Sequence, residues 1–281
     1  MKQSEWLKQA INTLETAVID TARLDALVLL EDATGKDRAW LLAHPEFELD
    51  DKIATLLQLQ IEKRAQHTPL AYIRGTSEFY GREFMVTHDT LQPRAETETM
   101  IDALRALTDS KQLTVNSLTI VDIGTGSGCL AITAKLEFPE TEVYATEINQ
   151  AAMKIAKQNA QNLHTNVTFL QGNLLEPYTS LMTHHESFVL LCNLPYVPDN
   201  YEINQAAAHE PRIALFGGKD GLDLYRDLFT HINAATNKPA YILTESLPFQ
   251  HEALEAIAKK YGYIELTEQD FIQVFSQQQT T

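Results

Sequence analysis

The stretch Thr119–Ile120–Val121–Asp122–Ile123–Gly124–Thr125–Gly126–Ser127–Gly128–Cys129 decides the fold, because an apolar run leads through three alternate glycines into a helical pattern. A short apolar run of this kind is typical of a buried strand in a parallel sheet. The glycines let the backbone turn tightly and approach a ligand with no Cβ in the way. The start of the following helix offers free N–H groups. The stretch therefore predicts a strand, a ligand-binding loop and a helix.

Similar strand and helix patterns continue on the carboxyl side of this stretch. Apolar runs at residues 142–146, 167–170, 188–191 and 240–244 alternate with helical patterns on a period of roughly 30 residues. Residues 263–266 and 271–275 form a final pair of apolar runs. This alternation predicts an α/β fold, a doubly wound Rossmann-like parallel sheet with a C-terminal antiparallel strand.

The N-terminal part of the chain has a different pattern. Residues 1–74 carry helical periodicity and no catalytic constellation, which predicts a small helical domain that is either a substrate-docking module or a structural cap. Two short apolar runs around Gly81–Arg82 predict a β-hairpin connector over residues 75–90. Residues 91–281 then form the cofactor-binding domain.

Composition limits the classes of function. The 281 residues carry a formal net charge of −16, which repels a phosphate backbone and so disfavours nucleic acid as a substrate. Two cysteines, Cys129 and Cys192, have neither metal-ligand spacing nor a disulfide pattern, so we expect no metal site. With no signal-peptide pattern and no apolar run of membrane-spanning length, we expect a cytoplasmic protein. We also expect a monomer, although none of these sequence features bears on oligomeric state.

A second group of residues extends the predicted ligand site. Glu147 ends the strand after the glycine loop, where a carboxylate can accept the hydroxyls of a ribose. Asn173 follows the next strand and either meets an adenine amine or caps a loop. The segment Gly126–Ala131 also fits the dinucleotide pattern G-x-G-x-x-A, but the loop begins earlier than such a site requires. The predicted cofactor-binding residues are Asp122, Gly124, Thr125, Gly126, Ser127, Gly128, Glu147, Asn173, Leu174 and Asn193.

The loop Cys192–Asn193–Leu194–Pro195–Tyr196 follows a buried strand and supplies the candidate catalytic residues. An amide oxygen, a backbone carbonyl and an aromatic ring in this order suit a planar NH2 group. The alternative is a simple turn with a capping Asn. Arg94 either forms a solvated salt bridge with Glu96 or places a charge at the rim of the site. The predicted catalytic residues are Asn193, Leu194, Pro195 and Tyr196, and the predicted substrate-binding residues are these four with Arg94 and Glu210.

These motifs together resemble a known family. The glycine loop, Glu147 and the Asn-x-Pro-Tyr loop are similar to class I S-adenosylmethionine-dependent methyltransferases that methylate amino groups. The stretches 78–81 (Glu-Phe-Tyr-Gly), 92–98 (Gln-Pro-Arg-Ala-Glu-Thr-Glu) and 210–222 resemble the release factor glutamine methyltransferases, the HemK family. The resemblance runs from about residue 5 to about residue 265.

The resemblance implies a substrate and a cofactor. It implies methyl transfer from S-adenosylmethionine, with S-adenosylhomocysteine as product. The acceptor would be the side-chain nitrogen of Gln in the Gly-Gly-Gln motif of bacterial class-1 release factors, which would be the protein partner.

Two positions depart from the family pattern. The family loop is Asn-Pro-Pro-Tyr, and Leu194 replaces its first proline, so we expect a modest loss of preorganisation. The chain also has residues 270–273 in place of a Gly-x-x-Arg tail. Other readings therefore stay open: methylation of a ribosomal-protein Gln or of adenine or guanine in nucleic acid, a cofactor-binding module without activity, and a nicotinamide-dependent oxidoreductase.

Overall fold

The computed structural model describes residues 1–113, 118–178 and 188–278. The chain divides into two compact units, Met1–Thr76 with Ile203–His209, and Ser77–Glu202 with Glu210–Thr281. The boundaries predicted at residues 74 and 90 stay a prediction. No sequence signal indicated that Ile203–His209 belongs with the helices, where the imidazole of His209 lies 3.0 Å from the Gln66 carbonyl.

The first unit is helical, as predicted. Asp37 and Asp50 cap two helices, each accepting a backbone N–H, and Gly35 ends α2 in the left-handed conformation. Arg64 forms a 2.7 Å ion pair with the buried Asp25. The helices are α1 (Gln3–Thr16), α2 (Ala22–Thr34), α3 (Arg38–Ala43), α4 (Asp51–Ala65) and α5 (Leu70–Arg74). Their shared core includes Trp6, Leu14, Leu29, Leu30, Leu57 and Ile61.

A β-hairpin follows, formed by β1 (Thr76–Phe79) and β2 (Arg82–Met85). Its turn is Tyr80–Gly81, one residue earlier than the predicted Gly81–Arg82. Both turn residues have positive φ angles, 52° and 70°, as a two-residue type I′ turn requires. The Tyr80 N–H donates to Glu98 at 2.7 Å, a long-range contact that holds a non-glycine residue in this conformation.

The second unit contains a seven-stranded sheet in the order β5-β4-β3-β6-β7-β9-β8. The five strands from β5 to β7 are parallel and β9 is antiparallel to both neighbours, which confirms the predicted fold class. The strands are β3 (Thr119–Ile123), β4 (Glu142–Glu147), β5 (Thr168–Gln171), β6 (Phe188–Cys192), β7 (Tyr241–Glu245), β8 (Tyr263–Gln269) and β9 (Ile272–Gln277).

Helices cover both faces of this sheet. Side chains of α6, α7 and α8 join one buried cluster, and those of α10 and α11 join the other. Consecutive strand residues alternate between the two clusters, as Ile120 and Val121 do. The helices are α6 (Ala95–Asp109), α7 (Cys129–Glu137), α8 (Gln150–Asn162), α9 (Arg212–Leu215), α10 (Asp223–Ala234) and α11 (His251–Lys260). Across the described ranges, no helix combines the length and apolarity needed to cross a membrane.

The strand register brings the ends of the central strands together. Ile123 lies beside Thr146 on one side and Cys192 on the other, and Cys192 lies beside Thr244. The residues that follow these positions therefore meet at one edge of the sheet, where open α/β sheets bind ligands.

Substitution of Gly128 tests whether the close packing of α7 and α8 requires a glycine at this position. Its φ is +84°, and a Cβ there would lie 2.9 Å from Ile132 Cδ1 and 3.1 Å from Ala156 Cβ. We expect Gly128→Ala to lower the free energy of unfolding by about 1–3 kcal/mol more than Gly262→Ala, because overpacking adds to backbone strain. Gly262 has a similar φ of +82°, and beyond its chain neighbours the described part of the chain places no atom within 4 Å of the added methyl. Denaturant titration measures both variants, and equal losses would contradict the packing argument.

Candidate active site

A cleft of about 1120 Å³, counted to its open mouth, lies at the carboxyl ends of β3, β4 and β6. Its walls come from the glycine loop, the start of α8, the loop after β6 and residues 89–94 before α6. Three predicted site residues do not line it: Gly128, Tyr196 and Glu210. The predicted residues that do line it are Arg94, Asp122, Gly124, Thr125, Gly126, Ser127, Glu147, Asn173, Leu174, Asn193, Leu194 and Pro195.

The buried Asp122 side chain holds the glycine loop in place through two hydrogen bonds. Its Oδ2 accepts the Thr125 hydroxyl at 2.5 Å and the Ala131 N–H at 3.1 Å, which ties the loop to the first turn of α7. Burial raises the pKa of Asp122 to about 7, and the Glu147 charge adds to the effect. This carboxyl group therefore acts first as a brace for the loop.

The glycines of the loop have different roles. Gly126 has a φ of +57°, and apart from its chain neighbours no atom of the described residues lies within 4 Å of the position of an added Cβ, so its backbone is open to a ligand. Gly124 has a φ of +71° and faces the Leu194 side chain. Gly128 was expected to approach the ligand, but its close neighbours are α7 and α8. A ligand contact at any of the three glycines stays a prediction.

Glu147 holds the far wall of the cleft. One carboxylate oxygen accepts the Gly126 N–H at 2.9 Å and the other accepts the Asn149 N–H at 2.8 Å. Each oxygen has a further lone pair, so the carboxylate can also accept two hydroxyl groups. With the open backbone of Gly126 and the amide of Asn173, this set of groups fits a nucleoside-type cofactor such as S-adenosylmethionine.

The loop after β6 lines the cleft and carries two hydrogen-bond acceptors, Asn193 Oδ1 and the Leu194 carbonyl. Asn193 donates through Nδ2 to Thr97 Oγ1 at 3.0 Å. Within the described parts of the chain, no donor lies at hydrogen-bond distance from Asn193 Oδ1 or from the Leu194 carbonyl. The Leu194 side chain is buried against the glycine loop, with its Cδ2 3.3 Å from the Cβ position of Gly124. The buried leucine side chain therefore holds the backbone at residue 194, where the family has a proline.

Two residues behind this loop were missed by the sequence reasoning, Thr97 and Glu245. Thr97 Oγ1 donates to Glu245 at 2.6 Å, and the Tyr196 hydroxyl donates to the other carboxylate oxygen at 3.0 Å. Glu245 is 1% exposed, and burial is the main reason that its pKa is raised to about 6. The sequence position of Glu245 could have identified it. It is the last residue of β7, which pairs with β6, and ligands bind at the carboxyl ends of such strands.

The backbone of Tyr196 is also held closely. Gln250 Nε2 donates to the Tyr196 carbonyl at 2.8 Å and to the Asp220 carbonyl at 2.7 Å. A Cβ on Gly221 would lie 2.0 Å from the Tyr196 oxygen, and one on Gly217 would lie 2.2 Å from the Pro195 oxygen. The glycine-rich stretch after α9 therefore fits under the loop that follows β6.

Arg94 pairs with Glu210 and not with Glu96. Its Nη2 contacts the two Glu210 oxygens at 2.6 and 2.7 Å. The Glu210 side chain is 1% exposed and the Arg94 side chain 35%. Burial raises the pKa of Glu210, against the opposing effect of Arg94. Arg94 thus lines the cleft, while Glu210 supports it from behind.

Comparison with known families matches both parts of the chain. Residues 5–75 match the family described as PrmC N-terminal domain, and residues 98–210 match the Methyltransferase small domain. The release factor glutamine methyltransferase of Coxiella burnetii is 34% identical over 255 residues, covering 90% of this chain and 89% of that protein. The enzyme of the same name from Moorella thermoacetica is 35% identical over 260 residues, covering 91% and 89%.

Solved structures support the fold. The catalytic domain of human METTL16, in complex with a MAT2A 3′UTR hairpin, aligns with a TM-score of 0.53 at 13% identity. The alignment covers 82% of this chain and 81% of that chain. A likeness at this level of identity concerns the architecture of the sheet and its helices.

The raised pKa of Asp122 predicts a stability difference that depends on pH. The folded value of about 7 lies above the usual 3.8, so the stability from protonation is present at low pH and lost as pH rises through about 7. We expect Asp122→Asn to gain stability relative to wild type between pH 4 and 8, by up to about 4 kcal/mol at 1.36 kcal/mol per pKa unit. Denaturant titration across this range measures the difference. A variant whose stability runs parallel to that of wild type would contradict the assignment.

Proposed function

The chain belongs to the family of release factor glutamine methyltransferases, and we propose from this premise which reaction its cleft performs. The reaction is transfer of a methyl group from S-adenosylmethionine to a side-chain amide nitrogen. The acceptor is the Gln of the Gly-Gly-Gln motif in bacterial class-1 release factors.

One observation carries this proposal, the pair of acceptors at the cleft. Asn193 Oδ1 and the Leu194 carbonyl follow β6 directly, and no donor from the described residues occupies them. A primary amide presents two N–H donors from one nitrogen. Two neighbouring acceptors can therefore take both hydrogens and fix the plane of the substrate amide.

The reaction depends on positioning of the substrate amide nitrogen more than on a general base that removes its proton. An amide nitrogen is a weak nucleophile because its lone pair is delocalised into the carbonyl. Hydrogen bonds from both N–H groups to Asn193 and Leu194 make the nitrogen more electron-rich and aim it into the cleft. Positioning of this kind supplies several kcal/mol, on the order of 7–11 at best. The bound cofactor supplies an electrophilic methyl group, and the proton leaves after transfer.

The glycine loop and β4 hold the cofactor in this scheme. Glu147 would accept the ribose hydroxyls, and Asn173 and Leu174 would hold the base. The Gly124–Thr125–Gly126–Ser127 backbone approaches the rest of the cofactor, with Asp122 bracing the loop. Gly128 contributes by letting α7 and α8 approach each other.

The remaining site residues orient the substrate. Pro195 stiffens the loop, and Tyr196, which does not itself line the cleft, anchors the loop from behind through the hydrogen bond from its hydroxyl to Glu245. Arg94 offers a charge at the cleft wall and Glu210 keeps it in place. In this proposal residues 1–74 form the domain that docks the release factor, and residues 91–281 form the methyltransferase domain. Residues 75–90 form the hairpin that connects these two domains in sequence.

Labelled S-adenosylmethionine tests the proposal directly. We expect label on a recombinant bacterial release factor and none on its Gln→Ala variant in the Gly-Gly-Gln loop. Asn193→Ala is expected to lower kcat about a hundredfold or more, as loss of one positioned polar group in a reaction site does. Denaturant titration of the variant serves as the control for folding. Full activity of Asn193→Ala, or label on the Gln→Ala substrate, would overturn the scheme.

A further inference from the structure

A chain of three side-chain hydrogen bonds lies behind the cleft and has a fixed direction. Glu245 accepts from Thr97 at 2.6 Å and from Tyr196 at 3.0 Å, and Thr97 accepts from Asn193 at 3.0 Å. Glu245 and Thr97 are 1% and 2% exposed, so water competes little for these groups. The direction of the bonds is therefore set within the protein.

The ionised state of Glu245 determines every donor in this chain. A carboxylate only accepts hydrogen bonds, so the single proton of Thr97 must point at Glu245. The Thr97 oxygen is then left as an acceptor for its next neighbour. Asn193 satisfies it only by turning its NH2 end toward Thr97, which turns Oδ1 away from it. A hydroxyl relay thus converts a buried negative charge into a defined orientation of the Asn193 amide.

We propose that Glu245 is a positioning residue that acts through Thr97 to keep Asn193 as an acceptor at the cleft. With the opposite amide orientation, Asn193 would present a donor and would repel the NH2 group of a substrate. Glu245 thereby selects a substrate atom that donates hydrogen bonds. This inference rests on the function proposed above, since it concerns the recognition of an amide NH2.

Protonation of Glu245 is expected to scramble this orientation. Its pKa is raised to about 6, mainly by burial, with Glu96 raising it and Arg94 lowering it. Tyr225 and Cys129 face it as neutral groups, because burial raises the pKa of each. A protonated Glu245 gains a donor and can reverse the bond to Thr97. Methyl transfer in wild type is therefore expected to fall as pH drops through about 6.

Three substitutions test the relay. Thr97→Val keeps the shape and removes the hydroxyl, and we expect kcat to fall about tenfold or more, with cofactor affinity unchanged. Thr97→Ser restores the hydroxyl and is expected to return most of the rate. Glu245→Gln is expected to lower kcat and to abolish the fall in methyl-transfer rate near pH 6. Any pH dependence of the rate that comes from Asp122 is expected to persist in both wild type and Glu245→Gln. Because the raised pKa makes the charged Glu245 unfavourable for folding at pH 8, the Gln variant should unfold no more easily than wild type there.

A measurement without substrate separates this inference from the proposed function. In ¹⁵N-asparagine-labelled protein at pH 8, the Asn193 side-chain NH2 signal should exchange slowly with water in wild type and Thr97→Ser. It should exchange faster in Thr97→Val and Glu245→Gln. Slow exchange in a wild-type protein that methylates no release factor would overturn the proposed function alone. Equal exchange in all four proteins, or a Thr97→Val variant with wild-type kcat, would overturn the relay.

Discussion

The parallel register of β4, β3, β6 and β7 is the constraint on which the site depends. It sets the last residues of these strands side by side, so that chemistry-bearing groups far apart in sequence meet at one edge. Gly124, Glu147, Asn193 and Glu245 all lie at or just beyond these strand ends. A shift of one residue in any pairing would turn its side chains to the other face of the sheet. The hydrogen-bonded pairing of these strands therefore also assembles the cleft.

Buried carboxyl groups set the shape and the polarity of the cleft. Asp122 braces the glycine loop and Glu245 directs the loop after β6, and burial raises the pKa of both. Each therefore makes the folded protein less stable at neutral pH than a neutral side chain of the same shape would. Such residues are expected where function and stability make opposing demands.

Local sequence patterns predicted the fold and the site residues that follow the strands. They did not predict contacts between residues that are far apart in the sequence. The glycine loop, Glu147 and Asn193–Tyr196 follow apolar runs directly, and strand-end geometry brings them together. Thr97 is 96 residues from Asn193 and 148 from Glu245, so no local period links them. The hairpin turn was off by one residue for the same reason, because the distant Glu98 stabilises Tyr80 at positive φ.

The most direct measurement locates the transferred methyl group at the level of bonds. A ¹⁵N-glutamine-labelled release factor is incubated with S-adenosylmethionine carrying a ¹³C methyl group, and the product is examined by NMR. The account predicts a one-bond ¹³C–¹⁵N coupling at the amide nitrogen of the Gly-Gly-Gln glutamine. A methyl carbon bonded to any other atom, or transfer to nucleic acid instead of the release factor, would contradict it.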